Sequence, residues 1–549
     1  MNLDFEYEIQ GTDTPELWYV GNLPYTVKLD TIVTYKSLKS LRIKSDTNSE
    51  NKFGYSSIKF PTQYAKGKTI ELIGRIKTKS VRNGYAGIWL TTNNNKGVIV
   101  ADNMNDRGLT GTNDWQKVSI RLSVDKSTTK ITFGSLLTGK GTAWFDGFEI
   151  YIDGIKFNDV KPKNVEPTKE ELDWLKQHIY PLNTYDPNTI DNKDLEILDE
   201  LIGTTKVVAL GENTHGSSEI FKMKHRIIKY LAQKKGFNIF SGEANMPKSY
   251  KLNNYIIGDN DNPIELLKEL GFFIWRTKEV LDMVKWMKQY SKSNRKISFT
   301  GFDMQFYQGA IKELENKINK RSDTYKLIPQ LKSKLSAINI QRNQKRQISD
   351  ENKIEIYHLL NSIKKNVSKS NNEWLFQNIR MIEQSVDGNK GFQRDKYMAE
   401  NLLWIKNQNP KSKIIVWAHN GHIKKTGNVM GKHLLNSLGN DYLTIGFTFN
   451  KGSYTAVGKN GLSSYKAQES PAGSYEYFFK QINTPIFLLD LRQVKQQNSK
   501  FSKWLLDKLL FRDIGALKTD NEFYKTNLTE DFDFIIFINE SSNSKLLLD

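Results

Sequence analysis

The run Val207-Val208-Ala209-Leu210-Gly211-Glu212-Asn213-Thr214-His215-Gly216-Ser217-Ser218-Glu219-Ile220 decides how the larger part of this chain folds. Its first four residues are apolar without alternation, the pattern of a short strand buried on both faces. The text then passes into a helix whose apolar positions, Ile220, Met223, Ile227 and Leu231, recur at helical spacing. Buried-looking runs return at Asn238-Ile239-Phe240, Ile297-Ser298-Phe299-Thr300, Ile414-Ile415-Val416-Trp417, Tyr442-Leu443-Thr444-Ile445, Ile486-Phe487-Leu488-Leu489 and Phe534-Ile535-Ile536-Phe537. Helical stretches separate several of them, so the class is α/β, with a largely parallel sheet flanked by helices.

Outward from this core, residues 306–410 read as several charged helices, far longer than an ordinary crossover, and predict a helical insertion placed to wall the sheet's edge. Upstream, residues 1–154 read as short β-rich runs such as Thr69-Ile70-Glu71-Leu72-Ile73 and Val118-Ser119-Ile120-Arg121-Leu122, divided by Gly and Asn turns. That predicts an all-β, jelly-roll-like sandwich. Its closing stretch, Gly141 to Ile150, resembles the last strands of galactose-binding-like domains, which implies a carbohydrate-binding-like unit. Trp18, Trp89 and Trp115 either stack on sugar rings or fill the sandwich core. Gly134 to Gly141 imitates a phosphate loop, but Gly141 stands where Ser or Thr is required and a strand follows. A polar segment with Pro162 and Pro167 sets the linker at 155–168, and the α/β domain at 169–549.

The 549 residues carry a formal charge of +19, yet 38% are hydrophobic, enough for folded cores. The lysines never form a dense tract and no nucleic-acid-binding motif is present, so no nucleic-acid partner is expected. Without a cysteine, disulfides, Cys-ligated zinc, iron–sulfur clusters and thiol nucleophiles are excluded. No apolar run reaches the ~18 to 20 residues of a membrane span, and the opening Met1-Asn2-Leu3-Asp4-Phe5-Glu6 is no secretory leader. The expectation is a soluble protein, cytoplasmic as written and extracytoplasmic if a signal peptide has been removed.

Four of the proposed strands end at their carboxyl side in an ionisable residue: Glu212, Glu243, Asp303 and His419. In an open α/β sheet ligands bind at those ends, so the four are expected on one rim. Gly211, Gly242, Gly301 and Ala418 sit beside them and predict a hollow rim. The three-residue spacing from Glu212 to His215 lets a carboxylate hold one imidazole nitrogen while the other takes a proton from water, the equipment of a general base. His419 and His422 share the same spacing. Two His plus two Glu would suit zinc, but there is no His-Glu-x-x-His, so no metal is assigned. No Gly-x-Ser-x-Gly elbow marks a serine hydrolase. His178, His225 and His358 look ordinary, His225 being a solvated or locally bonded residue off its helix's apolar stripe.

These residues resemble the erythromycin esterase family. The likeness lies in Leu210-Gly211-Glu212-Asn213-Thr214-His215-Gly216, Glu243-Ala244-Asn245, Phe273-Ile274-Trp275-Arg276-Thr277, Gly301-Phe302-Asp303-Met304-Gln305, Arg394-Asp395-Lys396-Tyr397 and Trp417-Ala418-His419-Asn420-Gly421-His422. The resemblance implies cofactor-free hydrolysis of a small-molecule ester or lactone, a macrolide ring in the namesake members. It makes His215 the base, Glu212 and Glu243 its polarising carboxylates, and His419 the second essential histidine. The position nine after His215, often Arg in macrolide esterases, is Lys224. Arg276 and Arg394 are candidates for oxyanion stabilisation, for anchoring an anionic group, or for structural ion pairs; His422 either faces the ligand or orients His419. Two other readings stay open: a carbohydrate or cell-surface binding protein with a secondary esterase-like domain, and a metal-dependent hydrolase.

Overall fold

The computed structural model describes residues 2–6, 8, 12–21, 24–45, 52–157, 166–293, 296–343, 349–367, 372–388, 391–497 and 499–547. Two compact units divide the chain, Met1–Lys163 and Asn164–Asp549. Residues 158–165 of the expected linker lie outside the described residues. Ile155–Lys156 pairs back onto Tyr151 and Ile152 as a short antiparallel strand.

In the first unit every strand pairing is antiparallel. The organising element is the 26-residue strand Thr69–Asn94. Its first part pairs with Leu109–Ser123 and Lys140–Ile152, and from Ala86 onward it pairs with Lys130–Thr138 and Gly97–Asp102. Ser80 and Asn83, both at φ 54°, mark the bend between the parts. Side chains of both ladders, among them Leu41, Ile58, Ile70, Ile88, Phe133 and Phe145, share one core, which makes the unit a sandwich. Trp18 is part of that core, 4.8 Å from the Phe5 ring. Trp115 lies 5.8 Å from the Tyr35 ring. Trp89 lines a groove of about 620 Å³ together with Phe53, Tyr55, Tyr85, Asp102 and Asn103.

The second unit is built on a sheet in the order Ile179–Pro181, Ile486–Asp490, Phe534–Ser541, Tyr442–Gly458, Val207–Leu210, Lys413–Trp417, Phe237–Asn245, Ser298–Asp303. The last six are mutually parallel, and at the other side Ile486–Asp490 runs antiparallel to both of its neighbours. All seven apolar runs read from the sequence fall on these strands. The eighth, Ile179–Pro181, is three residues at an edge and too short to show a pattern. Val207 and Ala209 pack into the core on one face and Val208 and Leu210 into the other, so no position of this strand could alternate with a polar residue.

Among the described residues between Asp303 and Lys413 there are five helices, Gln308–Lys317, Asp323–Asn343, Asp350–Asn366, Glu373–Asp387 and Gly391–Gln408. Residues 344–348, 368–371 and 389–390 of the expected insertion lie outside the described residues. On the unpaired side of Ser298–Asp303, Phe299 N–H donates to Asn253 Oδ1 and Gly301 N–H to Ser249 Oγ, each at 2.9 Å. Helix Ser249–Ile257 therefore satisfies an edge that would otherwise offer free donors. Among the described residues no helix is long and apolar enough to cross a membrane.

Candidate active site

Glu212 leaves the strand Val207–Leu210 fully buried, and Lys224 Nζ, on the helix Ser218–Lys235, is in direct contact with its Oε2. Lys224 is fully buried too, with its ammonium 4.0 Å from the Trp417 ring centroid. Burial pushes the Lys224 ammonium down to about 8, against the opposing pull of Glu212. The other Glu212 oxygen lies 3.2 Å from His215 Nδ1. A carboxylate held against an ammonium only accepts, so His215 carries its proton on Nδ1 and keeps a lone pair on Nε2. The turn itself is pinned from the far end of the chain: His215 N–H donates to Gly515 O at 3.2 Å and Ile514 N–H to Asn213 O at 2.8 Å.

A second set of charges stands on the neighbouring strands. Arg394 Nη2 donates to Glu243 Oε1 at 2.6 Å and to Asp303 Oδ2 at 2.8 Å. Its Nη1 meets His422 Nε2 at 3.1 Å, while His422 Nδ1 donates to Asp395 Oδ1 at 2.7 Å. Burial alone would raise the Glu243 carboxyl, but His422 and Arg394 hold it well below the usual carboxylate range. Burial works against the His422 charge, yet Glu243 and Asp395 outweigh it and raise this imidazole above its ordinary value. Burial likewise opposes the Arg394 charge, and Asp303 and Glu243 reverse it.

His419 stands beside His215 and also has a local structural part. It caps the short helix Asn420–Ile423, its Nδ1 accepting Gly421 N–H at 3.2 Å, so the neutral ring carries its proton on Nε2. Nε2 lies 3.1 Å from Asp513 Oδ1, but the two are not aligned as a hydrogen bond and neither has another partner. The His419 and His215 rings are 5.2 Å apart. Burial pulls the His419 value down, with Asp513 pulling the other way.

These groups surround a cleft of about 450 Å³ lined by His215, Glu243, Arg276, Arg394 and His422 on the polar side. Phe272, Phe273, Val457, Leu462 and Ala516 supply its apolar walls. Val457 and Leu462 belong to a hairpin in which the strand Tyr442–Gly458 turns back as Gly461–Lys466. His419 and Glu212 do not line the cleft; they sit beside His215. His422 lines it and stands 6.5 Å, ring to ring, from His419. All nine residues singled out in the sequence are thus brought together. Asp395, Asp513 and Phe273 are new; Asp395 and Phe273 lie inside quoted motifs, whereas Asp513 follows no pattern that could flag it.

Two expectations need correction. The glycines beside the rim are not hollows: a Cβ at Gly211 would stand 2.0 Å from Asn420 Oδ1, at Gly242 2.5 Å from the Trp275 ring, and at Gly301 2.2 Å from Ala244 O. They permit close packing beneath the site, and the cleft opens above it. His225 is not solvated; it is 4% exposed, its Nε2 has no partner, and burial beside Lys229 pushes it down to about 3. His178 is ordinary, stacked 4.0 Å from the Trp174 ring. Among the described residues no group of three His, Asp or Glu side chains is arranged to hold a metal ion.

The segment 541–547 closes the site from behind. Ser541 Oγ bonds Ser217 Oγ at 2.8 Å, Ser218 N–H donates to Ser542 O at 2.9 Å, and Leu547 N–H donates to Arg276 O at 2.9 Å. Lys545 N–H reaches the Glu279 carboxylate at 3.2 Å, which also accepts from Ser218 Oγ at 2.6 Å.

A profile of the erythromycin esterase family matches residues 232–541, more than half of the chain. The matched span includes Glu243, Arg276, Asp303, Arg394, His419 and His422 and begins after His215. A putative hydrolase, YbfO of Bacillus subtilis (strain 168), is 25% identical over 378 residues, covering 60% of this chain and 83% of that protein. Erythromycin esterase type II of Escherichia coli is 26% identical over 439 residues, covering 68% of this chain and 99% of that protein. Among solved structures, an erythromycin esterase mutant in its open conformation superposes with a TM-score of 0.53 at 20% identity, over 67% of this chain and 99% of that one, a likeness of fold.

Proposed function

The chain belongs to the erythromycin esterase family, and from that premise we propose that it is a hydrolase that opens an ester or lactone by adding water directly, with no covalent intermediate. The observation that supports this best is the His215 ring, its Nδ1 proton engaged by Glu212 and its Nε2 free at the cleft. Water attacks the carbonyl carbon while Nε2 takes its proton. The tetrahedral oxyanion then collapses, the carbon–oxygen bond to the alcohol breaks, and the departing alkoxide takes a proton from His422. Glu243 and Asp395 favour the charged form of that ring, which suits a proton donor. The proton gained at His215 and the one lost at His422 then re-equilibrate with solvent. The macrolide lactone is the member of this class that the relatives' names bring forward.

The test is incubation of the purified protein with simple lactones, aryl esters and macrolides of several ring sizes, read by mass spectrometry for addition of one water. Replacement His215→Ala is expected to lower turnover by at least ~10². A panel returned unchanged would remove the hydrolytic reading, and near-normal turnover by the variant would remove His215 from its role. Glu212 is committed to Lys224, and Glu243 to Arg394. Activity that survives exhaustive chelation is therefore expected, and its loss, restored by one added metal, would favour a metal-dependent hydrolase instead.

A second reading concerns the all-β unit alone. Its groove, with Phe53, Tyr55, Tyr85 and Trp89 beside Asp102 and Asn103, combines ring faces with hydrogen-bonding groups, as a sugar requires. Binding of the full chain on a glycan array, abolished by Trp89→Ala, is the expected result; an unaffected or absent signal would discard it.

A further inference from the structure

We propose that the cleft is built for esters or lactones that carry an anionic group, a carboxylate or a phosphate, and that Arg276 is the residue that binds it. This rests on the hydrolytic reading above and names the substrate class within it.

The five charged or titratable side chains that line the cleft are His215, Glu243, Arg276, Arg394 and His422. Glu243 is their single carboxylate, and its two oxygens are taken by Arg394 and by the His419 N–H, at 2.6 and 3.1 Å. Arg394 in turn spends its donors on the carboxylates of Glu243 and Asp303. Arg276 differs from every one of these. Among the described residues its guanidinium makes no ion pair, and its Nε is buried with no acceptor. A buried donor without a partner asks for an explanation, and a ligand is the one the position offers.

The backbone that carries it is held in place. Arg276 N–H donates to Phe273 O at 2.9 Å, its carbonyl accepts Leu547 N–H at 2.9 Å, and Thr277 beside it is buried and caps the helix Lys278–Ser291. The backbone is fixed on both sides, so Arg276 lines the cleft from a rigid base, alongside Phe272 and Phe273. The lining therefore offers one uncommitted positive fork next to apolar wall and no uncommitted negative group. An acid group tethered to the reacting carbonyl by a short apolar stretch meets that pattern, with two parallel charge-assisted hydrogen bonds to the guanidinium. A substrate bearing a protonated amine does not.

The experiment compares 4-nitrophenyl hemiglutarate with the corresponding neutral methyl glutarate ester and with a neutral macrolide lactone, in wild type, Arg276→Gln and Arg276→Lys. The expected result is a preference for the acid ester of about ten- to a hundredfold in kcat/KM, carried mainly by KM, the scale of a hydrogen-bonded charge. Arg276→Gln should collapse that ratio towards unity, and Arg276→Lys should keep part of it. A fall of acid and neutral esters by the same factor in Arg276→Gln would mark an oxyanion or structural role and overturn the proposal, as would a preference for the neutral substrates. If no ester is turned over, hydrolysis fails as a reading, and the anion site is judged by glutarate alone: a rise in Tm in wild type that Arg276→Gln abolishes supports it, and no rise overturns it.

Discussion

Lys224 is a charge without access to water, kept there by Glu212 on one side and the Trp417 ring on the other. Removing it leaves a buried carboxylate uncompensated, so Lys224→Met should cost about 3–5 kcal/mol in chemical denaturation, the scale measured when one partner of a buried pair is lost. An equal stability would mean that the pair makes no net contribution to folding. His422 gives the pH dependence a definite sign. Its value is raised in the folded protein above the ordinary 6.5, so its contribution is complete below that value and is lost as pH rises through the folded value. The stability difference between wild type and His422→Asn should therefore be larger near about pH 5.5 than near about pH 9; a flat difference would place the ring in its neutral form throughout. Glu212, His215, Glu243 and Asp303 were legible because each closely follows a run too apolar to be anything but an interior strand. Asp513 was not, since a loop acid 94 residues past His419 in sequence gives no periodicity to read. Nor could sequence show that Nδ1 of His419 accepts Gly421 N–H, so that the ring caps a short helix.

At the level of the element, the strands aim the chemistry and the glycines let them lie close. Adding a methyl group at Gly242 sets it 2.5 Å from the Trp275 ring, a buried side chain, whereas at Gly301 the obstacle is the backbone oxygen of Ala244 at 2.2 Å. Gly242→Ala should cost about 1–3 kcal/mol and Gly301→Ala more, since overpacking is relieved by side chains sooner than by strands. Thermal melts of the two variants settle the order. The parallel strands were readable because burial on both faces removes polar alternation. The hairpin that carries Val457 and Leu462 was not, because Gly461–Lys466 is half exposed and mixes Ser, Tyr and Lys. The last helix of the insertion delivers Arg394 and Asp395, a duty that its charge pattern did not disclose.

On the scale of the whole chain, the two units have separate hydrophobic cores, and every residue lining the cleft belongs to the second. A protein beginning at residue 166 should therefore keep its kcat/KM within a factor of about three, since no substrate-facing group is removed; a larger loss, with an unchanged circular dichroism spectrum for the remaining unit, would give the sandwich a part in turnover. Strand patterning and the polar segment with Pro162 and Pro167 are what the sequence offers for a division, while the bent strand that joins the sandwich's two ladders was hidden by its own turn residues. The bonds from Ser541, Ser542, Lys545 and Leu547 to Ser217, Ser218, Glu279 and Arg276 span most of this unit's length. A nascent chain leaves the ribosome from its amino end, so both key histidines and their acids emerge long before the segment that fastens them. Maturation of the reactive centre must then wait until residues 541–547 have been made, and a chain stalled just short of them would be shaped much like the full unit while lacking a firmly set site.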